Sequence, residues 1–216
     1  MRQSVMSEQS KAWIYNPADQ GQSVEVIHWS YYDYKTINGL QNGTVSVAAS
    51  NSFFNTPSGT PVGAGVNTKE DSNIPKPLSV GSPYKFLIQE VAFVIMPVGR
   101  SWYAVDKAAA PDKRFEADVV EMLSRGVATL KVLGVDRLEC SPLITLPAGV
   151  GSIGNQDGMF ANGWPVLSNR YPVEIALHKD TTFEMLIDFP KGTFPIYNAI
   201  KFGVIFDGLL QRPTGK

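Results

Sequence analysis

Between residues 197 and 213 the chain alternates too regularly to be anything but a long β-strand. Ile200, Phe202, Val204 and Phe206 point one way, and Lys201, Gly203, Ile205 and Asp207 point the other, because successive side chains of a strand leave opposite faces of its sheet. A strand this apolar on one side demands a covering layer. The same period in Val173, Ile175 and Leu177, and again in Phe183, Met185, Ile187 and Phe189, predicts two further strands. The short link His178, Lys179, Asp180 and Thr181 joins them, and the expected arrangement is a hairpin followed by the closing strand.

The totals agree with a layered β-protein. At 216 residues, with 44% hydrophobic and 18% charged side chains, the chain has the apolar content for one large core and lacks the charge excess of a disordered polymer. The formal charge of −1 supplies no broad positive field for nucleic acid or an anionic membrane, so strong direct nucleic-acid binding is not expected. Cys140 is the single cysteine and His28 and His178 are the two histidines. That excludes an intrachain disulfide and a Cys/His zinc set, and Cys140 is expected to be a buried strand-end thiol in a chain assembled in a reducing cytoplasm. No basic-then-apolar leader opens the sequence, and no apolar run approaches the ~20 residues of a membrane span; residues 86–96 come closest, and Gln89 and Glu90 mark them as a core strand.

The order of segments can be followed from the start. Residues 1–11 are polar and aperiodic and are expected to form a flexible arm, with residues 12–216 as one domain. Trp13, Ile14 and Tyr15 begin the structured part. Residues 23–29 read as a strand with Val24, Val26 and His28 on one side, and residues 31–37 as another strand or the continuation of the first past a bend. Turn signals at Asn38-Gly39 and Asn42-Gly43 precede a strand at 44–48. Residues 50–82 are rich in Asn, Pro, Gly, Ser and Thr, too long for an ordinary connection, which predicts a loop ordered by neighbouring strands or by another subunit. Residues 84–96 form a strand whose alternation slips at Gln89 and Glu90, as a β-bulge would require.

One helix is predicted, over about 111–125. Pro111 suits its first turn, Asp112 and Glu116 suit the positive end of its dipole, Phe115, Val119, Met122 and Leu123 share a face, and Arg125-Gly126 ends it. Asp118 and Glu121 are assigned to its solvated side. Short strands follow at 127–133, 136–140 and 142–146, then a second long loop at 148–164. The total is about eight antiparallel strands with one inserted helix, an all-β fold of two sheets in the manner of a jelly-roll sandwich.

Signs of chemistry are few. Gly149, Gly151 and Gly154 fit the dinucleotide spacing, with Glu174 twenty residues beyond, but that motif must open a helix and here it runs into Asn155-Gln156-Asp157-Gly158. His178-Lys179-Asp180 reads as a polar tip, and Asn42-Gly43-Thr44 as a turn. The sequence holds no Gly-x-Ser-x-Gly elbow and no His-Glu-x-x-His helix. No catalytic, cofactor-binding or metal-ligating residue is assigned, and an enzyme is not expected. The aromatic run Trp29, Tyr31, Tyr32 and Tyr34, with Trp102 and Trp164, offers either core packing or flat platforms for sugars.

Four stretches carry a family likeness. Residues 126–134, residues 139–143 with 146–151, residues 189–192 (Phe-Pro-Lys-Gly) and residues 206–213 (Phe-Asp-Gly-Leu-Leu-Gln-Arg-Pro) together resemble the virion proteins of small tailless icosahedral bacteriophages. The resemblance spans the second half of the chain. It implies a jelly-roll coat subunit that assembles with copies of itself, as trimer or pentamer within a shell, and with other virion proteins, in a virion built in the host cytoplasm. The family gives no site residues to transfer. Residues 1–11 carry only Arg2 and Lys11 as cations against Glu8, so this arm is not a basic genome-binding arm, and an internal membrane, another protein or packaging into a preformed shell would have to organise the genome. The other reading open to the sequence is a carbohydrate-binding or receptor-binding β-sandwich that uses Trp29, Tyr31, Tyr32 or Trp102.

Overall fold

The computed structural model describes residues 24–40, 46–63, 65–98, 115–140, 143, 151–155, 158–162 and 171–214. The arm at 1–11, Trp13 to Tyr15, Asn42-Gly43-Thr44, Trp102, Trp164 and nearly all of the strand expected at 142–146 lie outside them.

The strands are β1 (Val24–Ile37), β2 (Ser46–Val47), β3 (Ser50–Phe53), β4 (Pro61–Val62), β5 (Gly65–Val66), β6 (Lys85–Pro97), β7 (Val127–Val132), β8 (Val135–Cys140), β9 (Gly151–Asn155), β10 (Gly158–Asn162), β11 (Tyr171–Leu177), β12 (Phe183–Asp188), β13 (Phe194–Pro195) and β14 (Ile200–Pro213). Among the described residues one helix, α1 (Phe115–Arg125), lies between β6 and β7. Two antiparallel four-stranded sheets form the body, in the orders β1-β14-β6-β11 and β3-β12-β7-β8.

β14 occupies an inner position in the first sheet. It pairs with β1 from Ile200 opposite Ile37 to Pro213 opposite Val24, and on its other side with β6 from Ile200 opposite Pro97 to Gln211 opposite Lys85. The slip expected at Gln89 and Glu90 is present: Asp207 faces Glu90, Gly208 faces Ile88, and Gln89 is the extra residue. The strands approach so closely there that a Cβ on Gly208 would strike the Leu87 carbonyl, which requires glycine at that rung.

The inner faces of the two sheets meet in one aromatic core. Phe53 stands edge-on to Phe202 with centroids 5.3 Å apart, and Phe54 stacks on Phe206 at 4.6 Å. Each couples the second sheet to the first. Phe86, Phe93, Phe183, Leu130, Met185 and Ile187 complete the layer and are all nearly inaccessible to water. Full burial of such side chains contributes roughly 1.5–3 kcal/mol apiece, so the alternation in β14 and β12 is what holds the sheets face to face. Cys140 is a buried thiol at the end of β8 and forms no disulfide.

Three expectations need correction. β11 and β12 do not form a hairpin, because β11 pairs with β6 in the first sheet and β12 pairs with β3 and β7 in the second. The link after Leu177 crosses the edge of the sandwich, with Thr181 N donating to the His178 carbonyl and Asp180 at φ 59° making the corner. Both strands therefore cover the same core from opposite sides. Of the two readings open for residues 31–37 the continuation holds, since β1 runs unbroken from Val24 to Ile37. The stretch assigned to a loop from residue 50 begins with β3 and contains the β4–β5 hairpin, and the stretch at 148–164 contains the β9–β10 hairpin. Gly151 and Gly154 thus lie in a strand and open no helix.

The third correction concerns α1. Phe115, Val119 and Met122 are buried as predicted, but Asp118 is buried with them, at 5% exposure. It stands three residues after Phe115 and four before Met122, on the apolar face. Its carboxylate accepts hydrogen bonds from Tyr197 N (2.9 Å), Asn198 N (2.8 Å) and Asn198 Nδ2 (2.8 Å). Those donors replace water and tie the helix to the turn that feeds β14. Glu121 keeps the solvated role expected of it, in an exposed ion pair with Arg125. Asp118→Ala is expected to lower stability by on the order of 3 kcal/mol, because it strands buried donors, and Glu121→Ala by less than about 0.5 kcal/mol. Urea unfolding of the two variants side by side checks this, and equal losses would contradict it.

Candidate functional site

β1 is an edge strand, and its C-terminal half is covered. The chain leaves β3 at Phe54, whose φ of 63° is rare for a bulky residue, and returns through residues 71–73, which run antiparallel beside β1. Tyr34 N donates to the Asp71 carbonyl at 2.7 Å and Asn73 N to the Tyr32 carbonyl at 3.2 Å. The Asn73 side chain then supplies a further rung, its Oδ1 accepting from Tyr32 N (2.8 Å) and its Nδ2 donating to the Ser30 carbonyl (2.7 Å). An amide carries a donor and an acceptor at the spacing of a peptide group, so Asn73 extends the ladder where the backbone has turned away. Lys201 of β14 fastens the outer side, with Nζ 2.8 Å from Asp71 Oδ1, 3.0 Å from the Glu70 carbonyl and over the Tyr34 ring at 5.3 Å. That hydrogen bond holds the Asp71 carboxyl below its ordinary range.

A hollow lies on each side of this cover. The first, of about 450 Å³, is lined by His28, Trp29, Ser30, Tyr32, Asn73 and Asp207. Ser30 Oγ donates to Asp207 Oδ1 at 2.7 Å, and Trp29, 40% exposed, stands edge-on to Tyr31. Tyr31 itself is buried, and desolvation pushes its phenol up to about 12, so it is a core residue and no sugar platform. Trp29 and Tyr32 are the two expected aromatics that reach the hollow.

The second hollow, of about 420 Å³, lies beside the β4–β5 hairpin and is lined by Val62, Val66, Asp33, Lys35, Asn55 and Asn67 among others. Asp33 is 3% exposed and accepts a hydrogen bond from Phe54 N at 2.7 Å. Burial raises its carboxyl from the ordinary 3.8 to about 6, against the opposing effects of the Phe54 and Ser72 hydrogen bonds and the Lys35 charge. Desolvation lowers the Lys35 ammonium, which sits over the Phe53 ring at 5.5 Å. The two groups are thus held in a dry rim between the sheets, each pushed toward its neutral form.

The two histidines do not meet. His28 is on β1 and His178 follows β11, and these strands are opposite edges of the first sheet, roughly 14 Å apart at the spacing of sheet strands. Among the described residues no group of three or more His, Cys, Asp or Glu is placed to hold a metal ion, and no helix is long and apolar enough to cross a membrane. Ser30, Asn73 and Asp207, which meet at the first hollow, were not distinguishable as a set in the sequence, since they come from three distant segments. The local signal for Asp33 is its inward register in an otherwise aromatic strand.

Comparison with models of known families, with curated proteins and with solved structures finds no match to this chain.

If Asn73 is the peptide mimic that seals the edge, Asn73→Ala should lower stability by about 1–3 kcal/mol. Tyr32→Phe, which removes only the exposed bond from its hydroxyl to the Lys69 carbonyl, should change it by less than about 0.5 kcal/mol. Thermal unfolding of both variants tests the contrast, and a neutral Asn73→Ala would refute the role.

Proposed function

We propose that this chain is a single jelly-roll coat subunit of a virion, which assembles with copies of itself into an icosahedral shell. The observation that carries the reading is the nesting of strand pairs. Of the eight main strands, the first pairs with the last (β1 with β14), the second with the seventh (β3 with β12), the third with the sixth (β6 with β11) and the fourth with the fifth (β7 with β8). A long antiparallel ribbon has this pairing. Rolling it brings β14 against β6 and β12 against β7, and a ribbon rolled into two facing sheets is the jelly roll, a fold used by capsid proteins and by lectins.

The fold alone does not select a function, so the choice of a coat rests on further features. The stretches 126–134, 139–143 with 146–151, 189–192 and 206–213 resemble those of bacteriophage virion proteins, which supports the reading. Exposed apolar side chains gather at turns, with Val62 and Val66 on the β4–β5 hairpin and Leu133 and Val135 at the β7–β8 turn. These are projecting points that a neighbouring copy can cover. A net charge of −1 also opposes close packing of many copies only weakly.

Sedimentation and electron microscopy of the purified protein test the proposal. Closed shells, or rings of three or five copies, are expected, and Val62→Asp with Leu133→Asp should shift the material toward monomer. A wild-type protein that stays strictly monomeric at high concentration contradicts it.

The first hollow favours a second reading, that of a glycan-binding sandwich. Trp29 and Tyr32 supply ring surface beside the polar side chains of His28, Ser30, Asn73 and Asp207, the combination that holds a sugar by its apolar face and its hydroxyls. On a glycan array, saturable binding abolished by Trp29→Ala supports this reading, and binding unchanged by that substitution, or none at all, rules it out.

A further inference from the structure

We propose that Asp33 is a proton-operated latch: a neutral Asp33 carboxyl clamps the excursion formed by residues 54–84 against β1, and an ionised one loosens that clamp. The inference concerns the fold of one chain and holds whatever the chain assembles into.

The latch stands on where the carboxyl sits. Asp33 belongs to β1 in the first sheet, and its Oδ2 reaches across the rim of the sandwich to the N–H of Phe54, the residue that follows β3 in the second. Phe54 is held in a left-handed conformation with its ring stacked on Phe206, and its carbonyl accepts from Leu78 N at 2.7 Å. The Leu78 carbonyl in turn accepts from Phe183 N of β12 at 3.0 Å. One carboxyl therefore secures the place where the excursion departs and, through Phe54, the place where it returns. On its other side the Ser72 hydroxyl donates to it, inside the short ladder that covers β1, and residues 33 and 72 are themselves bridged. Departure and edge cover both touch Asp33, and the return is tied to it through Phe54.

The charged groups around it do not neutralise it. Lys35, on the same face of β1, is the one cation that acts on it directly, and Lys35 is itself desolvated toward its neutral form. From the excursion, Asp71 adds like charge, offset by its own partner Lys201 of β14. Phe53, Phe54 and Phe206 provide no compensation. An ionised Asp33 is then a buried charge whose two hydrogen bonds and Lys35 counterion do not offset its desolvation, and the least disruptive way to hydrate it is to lift residues 54–55 and 71–73 away from β1.

The direction with pH follows. A carboxyl whose folded value is raised from 3.8 to about 6 contributes stability that is complete below its unfolded value and is lost as pH rises through about 6. An opening that returns Asp33 to water should become about tenfold more frequent between pH 5 and pH 7.5, because most of a shift of two units, a ~100-fold ratio overall, falls within and just below that interval.

Amide hydrogen exchange of the full chain, corrected for intrinsic rates, reads this at Tyr34, Phe54, Asn73 and Leu78. Wild-type protein should show the tenfold rise in opening from pH 5 to pH 7.5, and Asp33→Asn should show none. Equal opening at the two pH values, or a rise that persists in Asp33→Asn, would overturn the latch. Should the variant fail to fold, the carboxyl carbon of Asp33 followed by NMR in the wild type decides: a midpoint near 6 supports the proposal and a midpoint near 4 sinks it.

Discussion

A strand in the interior of a sheet has to satisfy its backbone on both edges, and β14 does so with partners from the beginning and the middle of the chain. It binds β1 to β6 and presents Phe202 and Phe206 to the second sheet. Without it β1 has no partner strand, and the second sheet loses the surface that Phe53 and Phe54 cover. Such contacts between distant segments are expensive in chain entropy. They hold because the rungs and the aromatic core are gained together.

Edges are the weak points of any open sheet, and β1 is protected by the chain itself. The excursion after β3 lays residues 71–73 along its C-terminal half, Asn73 completes the ladder with a side chain, and Lys201 clips the outside. The exposed Val24 and Val26 belong to the other half. The two hollows are consequences of this cover, which rises on either side of the ladder, and Asp33 lies at the point where the cover is anchored to both sheets.

Much of this was legible in the sequence where periodicity speaks. The alternation of β14, β12 and β7, the slip in β6 and the apolar stripe of α1 all follow from side chains sorting between a core and water. What failed depended on partners far away in the chain. The alternation in β11 and β12 reports that each has a buried face, and says nothing about whether those faces belong to one sheet or to two facing ones. Asp118 looked solvated because carboxylates seek water, whereas the N–H groups of Tyr197 and Asn198 take the place of water there. The candidate site was the least legible part, since Ser30, Asn73 and Asp207 are brought together by the register of β1 with β14 and by the course of the excursion. Only the aromatic cluster around Trp29 and Tyr32 indicated that something would gather near β1.

Removal of β14 tests the account at its root. A chain ending at residue 199, followed by circular dichroism through a urea titration, should show no cooperative transition, because both the inner rungs of the first sheet and the Phe202 and Phe206 rings that meet the second sheet are gone. A cooperative transition with a midpoint near that of the full chain would contradict the account, and would mean that the two sheets are held together by something other than their closing strand.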